Sequence, residues 1–205
     1  MRTFIVAAAL SLCACGARST VAQEPAAKAA TDSVKRVLVP TGLGTLKQDE
    51  FTMGIRSGAL LVKVTPLDER IIRLAAPDTY LRLHNLADSR RGAAAERSNT
   101  QQPELFLVSF FSYQPDVTFQ PEDVQIEYHG RQLRASAIIP LTPAWGRQRM
   151  DQQETQAAIY AFSDAFDYEQ PIVIRYGMES NDDWIQLVPK LEVERAKILS
   201  RQPKN

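Results

Sequence analysis

Alternating apolar and polar side chains dominate the second half of the chain. Val124, Ile126 and Tyr128 alternate with polar neighbours, and "HG" at 129–130 predicts a tight turn into a further strand. The run at 157–162 is apolar on both faces, which is typical of a strand inside a sandwich. With "ELFLVSFFS", "RQLRASAII" and "QPIVIRYG", these runs predict several short antiparallel strands. Strands at this spacing favour a two-sheet β-sandwich over a parallel α/β fold.

Two further apolar runs precede this region. Phe51, Met53 and Ile55 share one face of an extended segment, and the stretch "ALLVKVTP" repeats the alternation after "RSG". Residues 48–65 are therefore predicted to form a β-hairpin.

A helical period replaces the alternation after Pro77, which suits a first helical position. Tyr80, Leu83 and Ala87 lie at i, i+3 and i+7, so an amphipathic helix is predicted over about 77–91. We expect Gly92 to end it, and "GAAAERSNTQQ" to form a polar, mobile connector.

The end of the chain carries a second helical pattern. Pro189 is placed at the start of a short helix, with Leu191, Ile198 and Leu199 near one face. We expect this helix to pack on the sandwich rather than to present an exposed face to a partner. The fold class predicted is mainly β with minor α: a sandwich plus an N-terminal hairpin, one mid-chain helix and a short C-terminal helix.

The first residues have the pattern of an export signal, with Arg2 ahead of an apolar run from Phe4 to Leu12. That run is too short to span a bilayer, which takes about 20 apolar residues. The next residues, "LCAC" at 12–15, resemble the lipobox of bacterial lipoproteins. The resemblance implies removal of residues 1–14 and lipid attachment at Cys15, whereas Leu12 is too bulky to precede a lipidated Cys13.

The lipoprotein resemblance implies a place in the bacterial cell envelope. Acyl chains on Cys15 would anchor the protein to the membrane, and Gly16 in place of an aspartate favours the outer membrane, facing the periplasm. Residues 15–33 are predicted to be a flexible tether. The alternative is an ordinary signal cut after Ala22, which would leave a secreted or soluble periplasmic protein.

A second resemblance covers residues 104–177. The strings "LFLVSFF", "DVQIEYHG" and "MDQQETQAAIYAFSDAFDYEQPIVIRYG" resemble immunoglobulin-like, telokin-like sandwich domains of bacterial exported proteins. The Cys…Trp…Cys signature of true immunoglobulin domains is absent. The resemblance implies a sandwich over 104–205 with the C-terminal helix. The hairpin and helix region, 34–103, is expected to pack on it.

Charge and cysteine content exclude several classes of function. The full chain has 24 basic and 24 acidic residues, and loss of Arg2 with the signal leaves 23 against 24. Such a balance lacks the basic excess of a nucleic-acid-binding protein. Cys13 and Cys15 are the only cysteines, so the mature chain would have no disulfide and no free thiol.

Candidate catalytic and metal-binding residues are few. His84, in the predicted helix, and His129, in the predicted turn, have no convincing metal partners, because zinc needs three or four convergent ligands. The sequence contains neither G-x-S-x-G nor H-E-x-x-H, and "TGLGTLK" lacks the G-K-[ST] of a phosphate-binding loop. Glu122 and Asp123 are expected to begin a turn. The segment "ESNDDW" at 179–184 is expected to form a solvated loop. We therefore predict no enzyme activity, no metal and no cofactor.

The loop at 138–150, "IIPLTPAWGRQRM", has the composition of a partner-contacting tip. Trp145, Arg147 and Arg149 are the candidate contact residues, because Trp and Arg are enriched among interface hot spots. The alternative is that Trp145 folds back and closes one end of the sandwich.

The function predicted is that of a non-catalytic protein-interaction or structural module, with an envelope protein as the expected partner. The alternative is a lipoprotein that binds a small molecule or glycan between the sandwich and the helix at 77–91. Such a protein should have a sizeable apolar pocket.

Overall fold

The computed structural model describes residues 38–201. Within this range the chain forms antiparallel sheets with three α-helices. The strands are β1 (Met53–Ser57), β2 (Leu60–Pro66), β3 (Glu104–Ser112), β4 (Val117–Thr118), β5 (Val124–Tyr128), β6 (Arg131–Arg134), β7 (Ala137–Pro140), β8 (Arg149–Met150), β9 (Thr155–Phe162), β10 (Ile172–Tyr176) and β11 (Glu179–Asn181). The helices are α1 (Glu69–Ile72), α2 (Pro77–Ser98) and α3 (Trp184–Ser200), with short 3-10 turns at Gln48–Phe51, Pro121–Asp123 and Pro143–Arg147.

Two principal sheets build the domain. The first has the order β1-β2-β3-β9-β7 and the second β11-β10-β5-β6, while β4 pairs with β8. The hairpin β1–β2 continues into β3, with Val62 opposite Phe110, so the region predicted to pack on the sandwich supplies strands to one of its sheets. The predicted fold class, mainly antiparallel β with minor α, is confirmed.

The core lies between the two sheets. Phe110 on β3 packs edge-on against Tyr176 on β10 at 5.6 Å between ring centroids. The hydroxyl of Tyr160 on β9 donates to the Pro121 carbonyl at 2.8 Å, just ahead of β5. On the second sheet, Ile126 of β5 and Ile174 of β10 are fully buried. Alternation of side chains along each strand brings these residues to the inner faces.

The turn at 129–130 has the predicted form. His129 and Gly130 both have positive φ, 51° and 70°, which is the type I′ geometry that matches the twist of a two-residue hairpin. His129 therefore serves the turn between β5 and β6.

The mid-chain helix is longer than predicted. It begins at Pro77, as expected, but runs through Gly92 to Ser98, so the predicted mobile connector is wrong. Ala94 is fully buried, and alanine-rich segments favour helix. The helix ends at Asn99, whose left-handed backbone, φ 52°, makes it the C-cap.

The stretch "RQLRASAII" is two strands rather than one. β6 lies at the edge of the four-stranded sheet, and β7 lies at the edge of the five-stranded sheet. The crossing at 135–136 is held by a hydrogen bond from the Ser136 nitrogen to the Ala161 carbonyl at 2.7 Å. Local alternation does not encode this change of sheet.

The C-terminal helix begins at Trp184, not at Pro189, which lies inside it. Trp184 is fully buried, and its indole nitrogen donates to the Tyr168 carbonyl at 2.9 Å. This burial outweighs the backbone donor that Pro189 lacks. The segment at 179–184, predicted as a loop, forms the edge strand β11 and the N-terminus of α3.

The segment ahead of β1 packs against α1 and α3. Leu46 forms a parallel bridge with Ala75, and Thr45 donates to the buried Glu194 of α3. We call this end of the domain the base: residues 38–52, α1, α3 and the start of β3. The predicted signal peptide, Cys15 and the tether lie outside the described residues.

Candidate functional site

Three turns meet at the opposite end of the strands. The Tyr113 nitrogen, after β3, donates to the Ala59 carbonyl in the β1–β2 turn at 2.9 Å. The Gln153 nitrogen, before β9, donates to the Ser112 carbonyl at 2.8 Å. We call this end the tip: residues 57–60, 112–117 and 143–154. It contains all three residues predicted to contact a partner.

Trp145 is packed into the tip rather than displayed on it. It is 7% exposed, and its ring lies 5.2 Å from that of Phe119 and 5.7 Å from that of Phe110, edge-on to both. The structure therefore shows the alternative in which Trp145 closes the end of the sandwich. A direct contact through this indole is not supported by its exposure.

Arg147 and Arg149 are the exposed part of the predicted set. Each guanidinium side chain is 61% exposed. Arg147 lies 3.4 Å from Glu154, and Arg149 donates twice to one oxygen of Asp116, at 2.5 and 3.1 Å. Hydrogen bonding to Asp116 raises the pKa of Arg149 above its ordinary value. Whether either arginine touches a partner stays a prediction.

An aromatic and cationic group that the sequence did not predict lies at the same end of the domain as these arginines. Tyr113 is 41% exposed and packs edge-on against Phe111 at 4.9 Å. The guanidinium carbon of Arg56 lies 4.8 Å from the Tyr113 ring centroid, which is cation–π distance. Alternation along "FFSY" places both rings on one face of β3 and its extension. The alternation of Phe111 and Tyr113 can be seen in the sequence. The position of Arg56 beside Tyr113 cannot, because it depends on β2 pairing with both β1 and β3.

The tip also concentrates unusual backbone conformations. Asp116, Gln148 and Gln153 have φ of 61°, 48° and 60°, a region that costs energy for residues other than glycine. Such conformations are frequent at functional turns, where surrounding structure holds them in place.

A second group of polar residues lies at the base. Asp68 caps α1 by accepting from the Arg70 nitrogen at 2.7 Å, and both its oxygens accept from the Arg70 guanidinium. The same guanidinium reaches Glu104 at 3.5 Å and the Phe166 carbonyl at 3.2 Å, and it lies 5.0 Å from the Tyr168 ring centroid. Arg70 thus ties the start of β3 to α1 and to the 163–168 loop.

Burial raises the pKa values of two side chains in this group. Desolvation and the negative charge of Asp68 raise the pKa of Glu104 to about 7, although Arg70 opposes the shift. Burial also raises the pKa of Tyr168, whose hydroxyl donates to Glu104 at 3.1 Å. A carboxyl titrating near neutrality has the acidity of a general acid. The Glu104 carboxyl contacts Arg70 and Tyr168 of its own chain. Ion-pair networks that hold a fold together shift pKa values in the same way.

His84 belongs to a neighbouring pair on the helices. Its Nδ1 lies 2.7 Å from Glu69, and its ring stacks on Tyr80 at 5.3 Å. Burial would raise the pKa of Glu69, but hydrogen bonds from Arg73 and His84 lower it below its usual value. Within residues 38–201, no group of three or more His, Cys, Asp or Glu side chains is arranged to hold a metal ion.

One cavity lies between the sheets where the chain crosses from β6 to β7. Its volume is about 130 Å³, and Tyr160, Ile138 and Arg134 contribute to its lining. Ligand pockets usually enclose about 300–1,000 Å³. Glu122 also borders it and, with Asp123, lies in the short 3-10 turn ahead of β5, as predicted. The alternative hypothesis, a protein that binds a small molecule or glycan, places the ligand elsewhere, between the sandwich and the mid-chain helix.

Comparisons with protein-family models, with curated proteins and with solved structures found no match. None of the helices in the described part of the chain is long and apolar enough to cross a membrane.

Proposed function

We propose that the protein is a non-catalytic interaction module of the bacterial cell envelope, anchored by lipid at Cys15, that contacts a partner protein through its tip. The observation that carries this proposal is the separation of the tip from the end at which the chain enters the domain. Residues 38–46 lie at the base, next to α1 and α3. β3 runs from Glu104 at the base to Ser112 at the tip.

That separation suits an anchored module. The eight residue-to-residue steps from Glu104 to Ser112 extend about 27 Å at roughly 3.4 Å per step. An anchor at Cys15, reached through the base, would thus hold the tip away from the membrane. The tip would be the part of the domain most accessible to other envelope proteins.

The side chains of the tip, together with Arg56 and Phe111 directly ahead of it on β1 and β3, have the character of a contact surface. Arg56, Arg147 and Arg149 supply cations with long apolar stems, and Tyr113 and Phe111 supply partly exposed rings. Arginine and tyrosine are enriched among residues that dominate binding energy. Trp145 supports them from beneath by filling the end of the core. A partner with carboxylates around an apolar centre would complement this surface by taking the places of Glu154 and Asp116, which pair with Arg147 and Arg149 in the free domain.

The base network supports a non-catalytic role. The Arg70 guanidinium donates to Asp68, Glu104 and the Phe166 carbonyl, and it also covers the Tyr168 ring. These groups link three segments that the sheet pairing alone leaves separate. The cavity of about 130 Å³ gives the small-molecule alternative no comparable support.

The anchor is tested with a pair of cysteine variants of the full chain in a bacterial host. Cys15→Ser should abolish palmitate incorporation and release the protein from membranes, whereas the matched control Cys13→Ser should retain both. Mass spectrometry of the wild-type N-terminus should find acylated Cys15. An unmodified N-terminus at Gln23 would instead establish the ordinary secretory signal, and the anchor would be abandoned.

The tip is tested by photo-crosslinking in the native envelope. A photoreactive residue at Arg147 should capture one specific protein repeatedly. The same residue at Arg131, an arginine that is 72% exposed and paired with Asp164 at 3.4 Å on the β5–β6 hairpin, serves as control. Equal capture at both positions, or none at 147, would overturn the assignment of the tip. A captured protein is confirmed as the partner when Arg147→Glu abolishes its copurification.

A further inference from the structure

The C-terminal helix has an exposed apolar stripe that the packing of the domain does not use. Its members recur at spacings of 4, 4, 3 and 3 residues, which places them within about 120° of the helix circumference. They are Ile185, Pro189, Val193, Ala196 and Leu199. Ile185 is 59% exposed, Val193 54% and Leu199 40%, while Trp184, Leu191 and Ile198 on the other side are buried. The helix is apolar on two faces, and one has no partner among residues 38–201.

The segment through which the chain enters the domain packs against α3 toward the C-terminal end of the helix. The Arg201 guanidinium, at the C-cap of α3, donates to the Leu43 carbonyl at 3.4 Å. Glu194 on α3 accepts from Thr45. Leu38 and Leu43 are themselves 43% and 39% exposed. The C-terminal end of α3 therefore lies beside the segment that leads to the predicted anchor.

Basic side chains border the stripe. Lys190, Lys197 and Arg201 lie on α3 or directly after it, on the solvent side, and Lys197 is 56% exposed. Glu192, the one acidic residue within the stripe, lies 3.3 Å from Arg195, which offsets its charge. An apolar face with lysine and arginine along its edge is typical of helices that lie in the interface of a bilayer.

The length of chain between Cys15 and the domain makes this contact accessible. Residues 16–37 number 22, and if the flexible tether predicted at 15–33 extended over all of them, its root-mean-square span would be about 26 Å, from roughly 5.5 Å multiplied by the square root of the residue number. A lipid at Cys15 would thus keep the base within about one domain diameter of the membrane. The tether would keep the local concentration of the domain at the membrane surface high. A membrane contact too weak to hold a free protein would then still form.

We propose that the α3 stripe rests on the surface of the bilayer that holds the lipid anchor. The contact would orient the domain with its base on the membrane and its tip outward. This inference rests on the proposed anchor at Cys15 and adds a defined orientation to it. A second copy of this chain, or another protein, covering the stripe is the competing occupant that the test must separate.

The test uses the full chain as a bacterial host processes it, purified from membranes and culture medium together and reconstituted into vesicles of phosphatidylethanolamine and phosphatidylglycerol. A polarity-sensitive fluorophore is attached to Val193→Cys, with Leu81→Cys as the matched control. Leu81 is an equally exposed apolar residue, 56%, on α2. We expect the label at 193, and not at 81, to shift to the blue and to be quenched at least threefold more strongly by nitroxide-labelled lipid.

The outcomes separate this inference from the anchor. Protein that fails to float with vesicles shows that the anchor is wrong, and the orientation falls with it. Protein that floats while positions 193 and 81 are quenched equally overturns the orientation and leaves the anchor intact. A blue shift at 193 that depends on protein density and shows no quenching by lipid would assign the stripe to a second copy. Ile185→Asp, which changes an exposed side chain, should abolish the lipid quenching at 193 without loss of flotation.

Discussion

Glu194 and Thr45, 149 positions apart, share two hydrogen bonds. The backbone nitrogen and the hydroxyl of Thr45 donate to the same carboxylate oxygen at 3.0 and 2.8 Å. Glu194 is 2% exposed, so this carboxylate has left water for these contacts and for Lys197 at 3.7 Å. The pair fastens the segment that leads to the predicted anchor onto the C-terminal helix.

Thr45→Val should therefore destabilise the domain by about 1–2 kcal/mol, because it removes one donor from a buried carboxylate. Urea unfolding followed by circular dichroism measures this loss. Thr118→Val, at an exposed strand position, is the control and should change the free energy of unfolding by less than about 0.5 kcal/mol. Equal effects at both positions would show that the segment is not fastened through Glu194.

Glu104 should make stability depend on pH. Its pKa of about 7 in the folded state exceeds the ordinary value of 4.5, so the folded state holds a proton more tightly than the unfolded chain. Stability from this group is complete below pH 4.5 and falls as pH rises to about 7, by at most about 3 kcal/mol. The free energy of unfolding, measured from pH 4.5 to 8, should show this decline.

Glu104→Gln should flatten that decline, because an amide does not titrate. The control is Glu127→Gln on β5, whose carboxylate pairs with Arg175 at 2.7 Å and is 29% exposed. The slope between pH 4.5 and 7 should survive in this control. A slope unchanged in Glu104→Gln would mean that other groups cause it.

Trp145→Ala should be severely destabilising, by about 3–5 kcal/mol, because the indole fills the end of the core between Phe110 and Phe119. Arg147→Ala, in the same turn, should cost less than about 0.5 kcal/mol, since its ion pair with Glu154 is exposed. Thermal unfolding of the two variants checks this. Wild-type stability in Trp145→Ala would contradict the packed indole and return it to the set of partner contacts.

The same substitution at two glycines should have opposite effects. In Gly44→Ala the new Cβ would lie 2.2 Å from the Leu74 carbonyl oxygen, so the N-terminal segment must move away from α1 and stability must fall. In Gly92→Ala the Cβ meets open space on a helix, and a gain of about 0.5–1 kcal/mol is expected. Denaturant unfolding measures both. No gain at 92 would indicate that the helix ends there in solution.

Much of the fold was predictable because local alternation and turn chemistry suffice for it. The period of two at Val124–Tyr128 and the positive-φ turn at His129 and Gly130 determine a hairpin by themselves. Of the candidate site, composition identified the Trp145, Arg147 and Arg149 loop. Composition did not distinguish the buried indole from the exposed guanidiniums, because tryptophan and arginine both occur at the edge of a hydrophobic core as well as in interfaces.

Other features depended on residues distant in sequence. The helix passes Gly92 because Ala94 is buried, and α3 begins at Trp184 because that indole reaches the Tyr168 carbonyl. Sequence by itself determined the antiparallel strands and the hairpin turns, since each depends on neighbouring residues. Only the tertiary structure decided where the helices end, that Arg56 joins Tyr113, and that Thr45 meets Glu194. Burial and long-range hydrogen bonds set those outcomes, and no local pattern records them.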